Sequence, residues 1–242
     1  MLNKLNLFSF LILIILSSCN NDNGFYETKA IDELDNMAET IGELNSCSYS
    51  LNTLSKQINK DDESNKKEGI HDVYMQGPNK FYIHSVGTKG QRSFWYNGER
   101  FSYYSHDRHV YDTVKAEGNV VEVMDFLNKK YNIYFPAADF FYPSFTDDII
   151  DFSDEVILLE NQIINQKEYI VVQATNNKKS VTIWIDKANN LPFKFIISPQ
   201  TGQGLYYEAI FSNWKLNPKF YDVLFEYTPS KSTKREPLQL KQ

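Results

Sequence analysis

From residue 47 onward the chain alternates apolar and polar residues at period 2 in short runs, each ended by turn-forming residues. The runs fall at 47–58, 70–76, 80–86, 91–96, 100–104 and 109–114, then at 155–163, 167–174, 180–186, 193–198 and 205–214. The links between them are short. Asn97-Gly98 suits a type I′ hairpin, and Gly77-Pro78-Asn79, Gly87-Thr88-Lys89-Gly90, Asn176-Asn177 and Asn189-Asn190 are further breakers. Parallel neighbours would need long crossovers, so consecutive runs are expected to pair antiparallel.

Two stretches depart from this grammar. Residues 30–45 place Leu34, Met37, Ala38, Ile41 and Leu44 on one helical face with acids opposite, which predicts an amphipathic helix with Thr28 as its N-cap. Between Asn119 and Asp154 the residues Val120, Val121, Met124, Phe126 and Leu127 predict a second helix. Pro136 to Pro143 then forms an aromatic, proline-bounded segment. The expected architecture is α+β, mainly antiparallel β: one curved sheet with both helical segments packed across its concave side. Residues 59–69 read as a solvated hairpin tip, and 231–242 as a frayed polar tail.

The C-terminal strands carry apolar residues on both faces. Val181/Ile183/Ile185 oppose Thr182/Trp184, Phe193/Phe195/Ile197 oppose Lys194/Ile196, and Tyr207/Ala209/Phe211 oppose Tyr206/Glu208/Ile210. A sheet with one core needs only one apolar face, so the second asks for another covering layer or a ligand. Whether the concave side is filled or leaves a cavity is a question of volume, which sequence does not measure.

The N-terminus reads as an address and an anchor. Lys4 is followed by an apolar stretch whose uninterrupted core is too short for a bilayer-spanning helix, and Leu16-Ser17-Ser18-Cys19 has the layout of a bacterial lipobox. The expected organisation is a signal peptide at 1–18, a lipidated tether at 19–29 beginning with Cys19, a single domain at 30–230 and the polar tail at 231–242. Acylation on several chains makes such anchoring stable.

Composition excludes several functions. With 25 Lys+Arg against 31 Asp+Glu the net charge is -6, so a nucleic-acid partner is not expected. Two cysteines, one of them Cys19, make no disulfide framework, and Cys47 reads as a small buried hydrophobe beside Tyr49 and Leu51. No G-x-S-x-G, H-E-x-x-H, Walker loop, G-x-G-x-x-G or C-x-x-C occurs. His106-Asp107-Arg108-His109 has two imidazoles but sits at an expected turn, and Asp147, Asp148, Asp151, Asp154 and Glu155 read as a solvated acidic loop. No catalytic residue, metal site or cofactor is expected.

The segments Phe94-Trp95-Tyr96-Asn97-Gly98-Glu99-Arg100-Phe101, Tyr131-Asn132-Ile133, Pro136-Ala137-Ala138-Asp139-Phe140-Phe141-Tyr142, Trp184-Ile185-Asp186 and Phe225-Glu226-Tyr227-Thr228-Pro229 recur in this order in one family. By them, over roughly residues 30 to 230, the chain resembles predicted periplasmic proteins of bacteria related to the outer-membrane lipoprotein carriers and receptors, the LolA/LolB-like group. The resemblance implies an unclosed half β-barrel with a helical lid over a hydrophobic cavity that holds acyl chains in characterised relatives. It carries over no functional residue.

The first expectation is therefore a lipoprotein anchored through Cys19, at the outer membrane facing the periplasm, that binds lipid or lipoprotein acyl chains without catalysis. A protein that delivers or receives the cargo would be its partner. Candidate wall residues are Trp95, Tyr103, Trp184, Phe195 and Tyr207, with Phe140 and Phe141 on the lid. The alternative is an anchored protein-interaction lipoprotein with a filled core. A packed concave face would favour the second, and an apolar opening under the 136–143 segment the first.

Overall fold

The computed structural model describes residues 24–58 and 65–241. The signal segment and residues 19–23 of the tether, Cys19 among them, lie outside the described residues, as do residues 59–64 of the charged tip. A two-residue strand β1 (Phe25–Tyr26) leads into helix α1 (Thr28–Gly42), and all the period-2 runs follow as strands. The first group is β2 (Ser46–Ile58), β3 (Lys67–Gln76), β4 (Lys80–Gly87), β5 (Gly90–Tyr96), β6 (Arg100–Ser105) and β7 (Val110–Lys115). Helix α2 (Val120–Tyr131), a 3-10 turn at Ala138–Phe141 and helix α3 (Phe145–Phe152) interrupt the meander. The second group is β8 (Glu155–Ile164), β9 (Lys167–Thr175), β10 (Lys179–Asp186), β11 (Leu191–Pro199) and β12 (Gly204–Leu216), and a two-residue β13 (Lys234–Arg235) ends the series.

These strands form one 13-stranded sheet in the order β1-β8-β9-β10-β11-β12-β2-β3-β4-β5-β6-β7-β13. Each group is an antiparallel meander, and the two are sewn together where β12 pairs with β2 from Gly204↔Ile58 to Leu216↔Cys47. Only the short edge strands run parallel to their neighbours, β1 to β8 and β13 to β7. β1 and β13 stand at opposite ends of the order, so the sheet is unclosed, a half-barrel whose inner face is covered by the helices.

The strand pleat decides which residues meet the helices. One continuous core takes Tyr49, Leu51, Val73, Phe81, Ile83, Phe94, Tyr96 and Phe101 from the first meander, and Val172, Ile183, Phe195, Ala209 and Phe211 from the second. Against them α1 buries Ala30, Leu34, Met37 and Ile41, α2 buries Val123, Met124 and Leu127, and α3 buries Phe145 and Ile149. Cys47 lies in the same core at 2% exposure, as its sequence surroundings predict.

Local chemistry fixes the helix ends, not always as expected. Thr28 is the first helical residue and Glu27 the N-cap, without a side-chain capping bond. The Glu27 carboxylate instead accepts the Leu158 N–H at 2.9 Å, which ties the start of α1 to β8. Helix α2 has a complete capping box: Asn119 Oδ1 accepts the Glu122 N–H at 3.0 Å, and Glu122 Oε2 accepts the Asn119 N–H at 2.8 Å. Such a cap contributes about 1 kcal/mol. Asn132, left-handed at φ 57°, ends the helix.

A covering layer from the chain itself lies over the outer face of the first meander, while the outer residues of the C-terminal strands, Trp184, Ile196, Tyr206 and Ile210, stay half-buried. After β12 the chain crosses the outer face, where Phe220 meets Tyr74 at 5.8 Å and Tyr227 meets Trp95 at 4.8 Å and Tyr104 at 5.7 Å between ring centroids. The set Phe193/Phe195/Ile197 is split by a bulge. Trp184 pairs with Lys194 but Ile185 with Pro192, so Phe193 leaves the inner row and stacks on Tyr169 at 4.3 Å.

The C-terminal segment is not frayed. Lys234 and Arg235 pair with Val110 and Tyr111, and the buried Asp112 accepts from Arg235 Nε and from the Leu238 N–H, both at 2.9 Å. The Lys241 N–H then reaches the Lys130 carbonyl at 2.8 Å on α2. An open edge at β7 and a buried carboxylate both need partners, and this polar segment supplies them.

Candidate functional site

The inner face of the half-barrel and the lid that closes it form the candidate site. The lid, residues 132 to 149, reaches the sheet through rings. Phe135 meets Phe81, Phe94 and Phe101 at 5.4, 5.5 and 6.5 Å, edge-on in each case. Phe140 meets Phe195 at 5.1 Å and Phe211 at 5.4 Å, and stacks on Phe145 at 4.8 Å. The lid's hydrogen bonds stay within the helical layer. Tyr142 Oη donates to Asp125 Oδ1 at 2.7 Å, and the N–H groups of Ala138, Tyr142 and Phe145 donate to Phe135, Asp139 and Tyr142 carbonyls. Apolar contact, which is non-directional, therefore holds this segment on the sheet.

Of the seven wall candidates, five gather here. Tyr103 lies on the inner face beside Phe94 at 5.6 Å, Phe195 and Tyr207 adjoin each other at 5.4 Å, and Phe140 and Phe141 come from the lid, Phe141 stacking on Tyr49 at 5.9 Å. Trp95 and Trp184 do not join them. Each has the opposite parity to its buried strand neighbours, Phe94 and Tyr96 or Ile183 and Ile185, and faces outward. Trp95 packs between Tyr82 and Tyr227, and Trp184 lies under Lys194 Nζ at 5.1 Å and donates its Nε1–H to Gln162 at 2.9 Å.

Beside the lid, α1, the 3-10 turn and α3 leave a cleft of about 430 Å³ lined by Ile41, Phe140, Phe141 and Pro143 with Asp35, Glu39 and Asp147 at its polar side. Thr146 lines it too, with a buried hydroxyl that has no hydrogen-bond partner among the described residues. The volume is within the range of small-molecule pockets. Under the lid, the Tyr207 hydroxyl is likewise buried without a partner among the described residues. Burial pushes its ionisation well up, with nearby Asp139 adding to the shift, and burial raises the Asp139 carboxyl in turn. Orphaned buried polar atoms of this kind accompany sites that take up a water or a ligand group.

One end of the inner face is polar. His71, 8% exposed, bonds through Nδ1 to Ser85 Oγ at 2.8 Å and through Nε2 to Thr53 Oγ1 at 3.1 Å. Burial first, and Arg92 nearby second, lower its pKa to about 4, so the ring is neutral near pH 7. Arg92 shares this face, its guanidinium 5.9 Å from the Phe94 ring centroid. None of Phe135, His71, Arg92 or Asp139 was singled out from sequence. The available signal for Arg92 was its parity, since it alternates in step with Phe94 and Tyr96 and not with Trp95.

The other sequence candidates stay apart. His106 Nε2 bonds Ser93 Oγ at 2.8 Å while His109 Nδ1 bonds Tyr104 Oη at 3.2 Å. Among the described residues no group of three or more His, Cys, Asp or Glu is placed to hold a metal ion. Burial pushes the Cys47 thiol up to about 12, far from a reactive thiolate.

The model of a family described as "Predicted periplasmic protein (DUF2092)" matches residues 30–236. No curated protein matches the chain by sequence. Among solved structures, an uncharacterized conserved protein from Thermus thermophilus is similar with a TM-score of 0.50 at 9% identity, over 86% of this chain and 99% of that one. LprF from Mycobacterium bovis has a TM-score of 0.45 at 11% identity, over 87% and 100%. A LolA superfamily protein from Nitrosomonas europaea has 0.37 at 11%, over 82% and 97%. At such identities the likeness concerns the fold alone.

Proposed function

We propose that this protein, which belongs to the DUF2092 family of predicted periplasmic proteins, is a non-catalytic, membrane-anchored lipoprotein that binds lipid or lipoprotein acyl chains between its half-barrel and its lid. The single observation that carries this is the way the lid is held. Phe135 and Phe140 reach the sheet only as rings on rings, and the hydrogen bonds of the segment remain inside the helical layer. An acyl chain offers the sheet the same non-directional contact as those rings, so an exchange of one for the other leaves no backbone group unpaired. Lipidated Cys19 would hold the domain at the outer membrane facing the periplasm, where it acts as an acceptor or donor beside a delivering or receiving protein, because a lipidated protein does not shuttle freely.

The test is native mass spectrometry of the full chain, purified in a neutral detergent, before and after organic extraction. A non-covalent lipid adduct lost on extraction is expected. A clean mass, unchanged after incubation with phospholipids and fatty acids, would overturn the reading. The second reading, an anchored protein-interaction lipoprotein with a filled core, would then stand. It is favoured by the same rings seen from the other side, since Phe135 and Phe140 occupy the inner face themselves.

A further inference from the structure

The polar end of the inner face concentrates cations that form no ion pair among the described residues. The register runs Phe211↔Leu51↔His71↔Ser85↔Arg92 across β12, β2, β3, β4 and β5, which sets Arg92 on the inner side, beside a neutral imidazole and not an acid. In parallel, Tyr207↔Ser55↔Lys67 puts Lys67 on the same side two residues along its strand from Gly69. Lys89 stands in the β4–β5 turn between Gly87, which pairs with Gly69, and Gly90, so this turn lies beside the strand end that carries Lys67 and two residues from Arg92. Desolvation, then Arg92 and Lys67, lower its pKa.

None of the three forms an ion pair among the described residues, although neighbouring Lys66 is paired to Glu68 at 2.7 Å. Arg92 Nε is buried and has no hydrogen-bond partner among the described residues. In a chain of net charge -6, three adjacent cations that no described carboxylate pairs are a specific arrangement, the nearby Asp107 being taken up by the Gln91 N–H at 2.8 Å. Gly69, Gly87 and Gly90 align across β3, β4 and β5 and put no side chain of their own between the cations, so the His71 ring and the Thr53 hydroxyl come close over Gly69 and the Asp107 carboxylate over Gly90. At Gly87 a Cβ would come within 2.2 Å of the Glu68 carbonyl oxygen, so no side chain fits there.

This end is continuous with the lid. The Arg92 guanidinium lies against Phe94, and Phe94 is a ring on which Phe135 rests. A chain that took the place of Phe135 would bring its polar end to Arg92.

We infer that Arg92, Lys67 and Lys89 form the headgroup site of the acyl-binding face and select ligands that carry a phosphate or carboxylate. The inference rests on the reading of the inner face as an acyl site. Arg92 supplies planar paired donors for such an oxyanion, and the two lysines supply point charge at the rim. Free phosphate offers the same chemistry as a phospholipid headgroup, and the two sources separate experimentally.

The full chain in a neutral detergent is titrated, by native mass spectrometry, with phosphatidic acid and with diacylglycerol of identical chains. Inorganic phosphate is titrated in parallel by calorimetry. The wild-type protein binds phosphatidic acid tighter than diacylglycerol by about tenfold or more. Arg92→Gln, and separately Lys67→Gln with Lys89→Gln, abolish that preference while diacylglycerol binding stays, and Arg92→Lys restores part of it. Equal binding of both lipids, indifferent to these substitutions, overturns the headgroup site and leaves the acyl reading intact. Phosphate binding that Arg92→Gln abolishes, without binding of either lipid, upholds the anion site with free phosphate as its ligand and overturns the acyl reading. Absence of all binding overturns both.

Discussion

Phe135 stands edge-on to Phe94, with ring centroids 5.5 Å apart and planes at 77°. Through this contact the segment between α2 and the 3-10 turn is fastened to the middle of the first meander, one residue pair from the cationic end of the inner face. The lid is thus closed by packing, and the energetics of closing are those of an aromatic cluster.

Replacing Phe135 by Ala removes ring contacts to Phe81, Phe94 and Phe101 together. For a half-buried ring the expected loss is about 2 to 3 kcal/mol, seen as a lower urea midpoint with little change in slope. If the lid and sheet move as one unit, hydrogen exchange in α2 rises together with that in the sheet. Exchange confined to residues 132–149 would show that the lid opens alone, as the proposed acyl-chain binding requires.

His71 makes stability depend on pH. Its folded pKa of about 4 lies below the ordinary value of 6.5 because burial, with Arg92 beside it, disfavours the imidazolium and Asp72 only partly offsets them. The unfolded chain therefore binds the proton more readily, and stability present above pH 6.5 is lost as the pH falls towards 4. The full loss is about 3 kcal/mol from this group. Urea unfolding at pH 7.5 and 4.5 measures it, and in His71→Gln the part of the slope due to this group disappears.

Asp112 links the C-terminal segment to the sheet edge through Arg235 and the Leu238 N–H. A chain ending at residue 233 leaves that buried carboxylate without these donors and uncovers the edge of β7. Its Tm falls by several degrees, on the order expected when a buried acceptor loses its partners. Asp112→Asn in the truncated chain recovers part of the loss. Equal Tm for the full and shortened chains would mean that the segment merely rests on the surface.

Cys47 stays unmodified by iodoacetamide at pH 8 in the native protein, because burial in β2 raises its pKa to about 12. In urea it is alkylated within minutes, and mass spectrometry distinguishes the two. Labelling of the native thiol at the unfolded rate would contradict the packing of Cys47 against Met75 and Leu216 across the strands.

The proposed anchoring is tested at Cys19. Cys19→Ala abolishes incorporation of an alkyne-labelled fatty acid and releases the protein from washed membranes, whereas Cys47→Ala does neither. Retention of both label and membrane association by the Cys19 variant would move the anchor elsewhere.

The sequence by itself determined the strands and helices α1 and α2. The acidic stretch 147–155, which reads as a solvated loop, instead folds into α3 and the start of β8, because Phe145 and Ile149 give it a face to bury. Period-2 alternation and explicit turn chemistry place every strand from β2 to β12 and the antiparallel sense of each hairpin, since pleat and turn geometry are local. The amphipathic spacing of Leu34, Met37 and Ile41 likewise fixes both α1 and its buried face. The tertiary structure decided what lies beyond local reach. It paired β12 with β2, residues some 150 positions apart, and so set Arg92 on the face that Phe135 covers. It turned Trp95 and Trp184 outward, because a sheet with two apolar faces does not declare which one the helices will take. It brought the polar C-terminal segment to Asp112, since a buried carboxylate and an open edge attract donors from anywhere in the chain. Periodicity assigns a residue to one of two faces; only the packing of distant segments says which face is inside and what waits there.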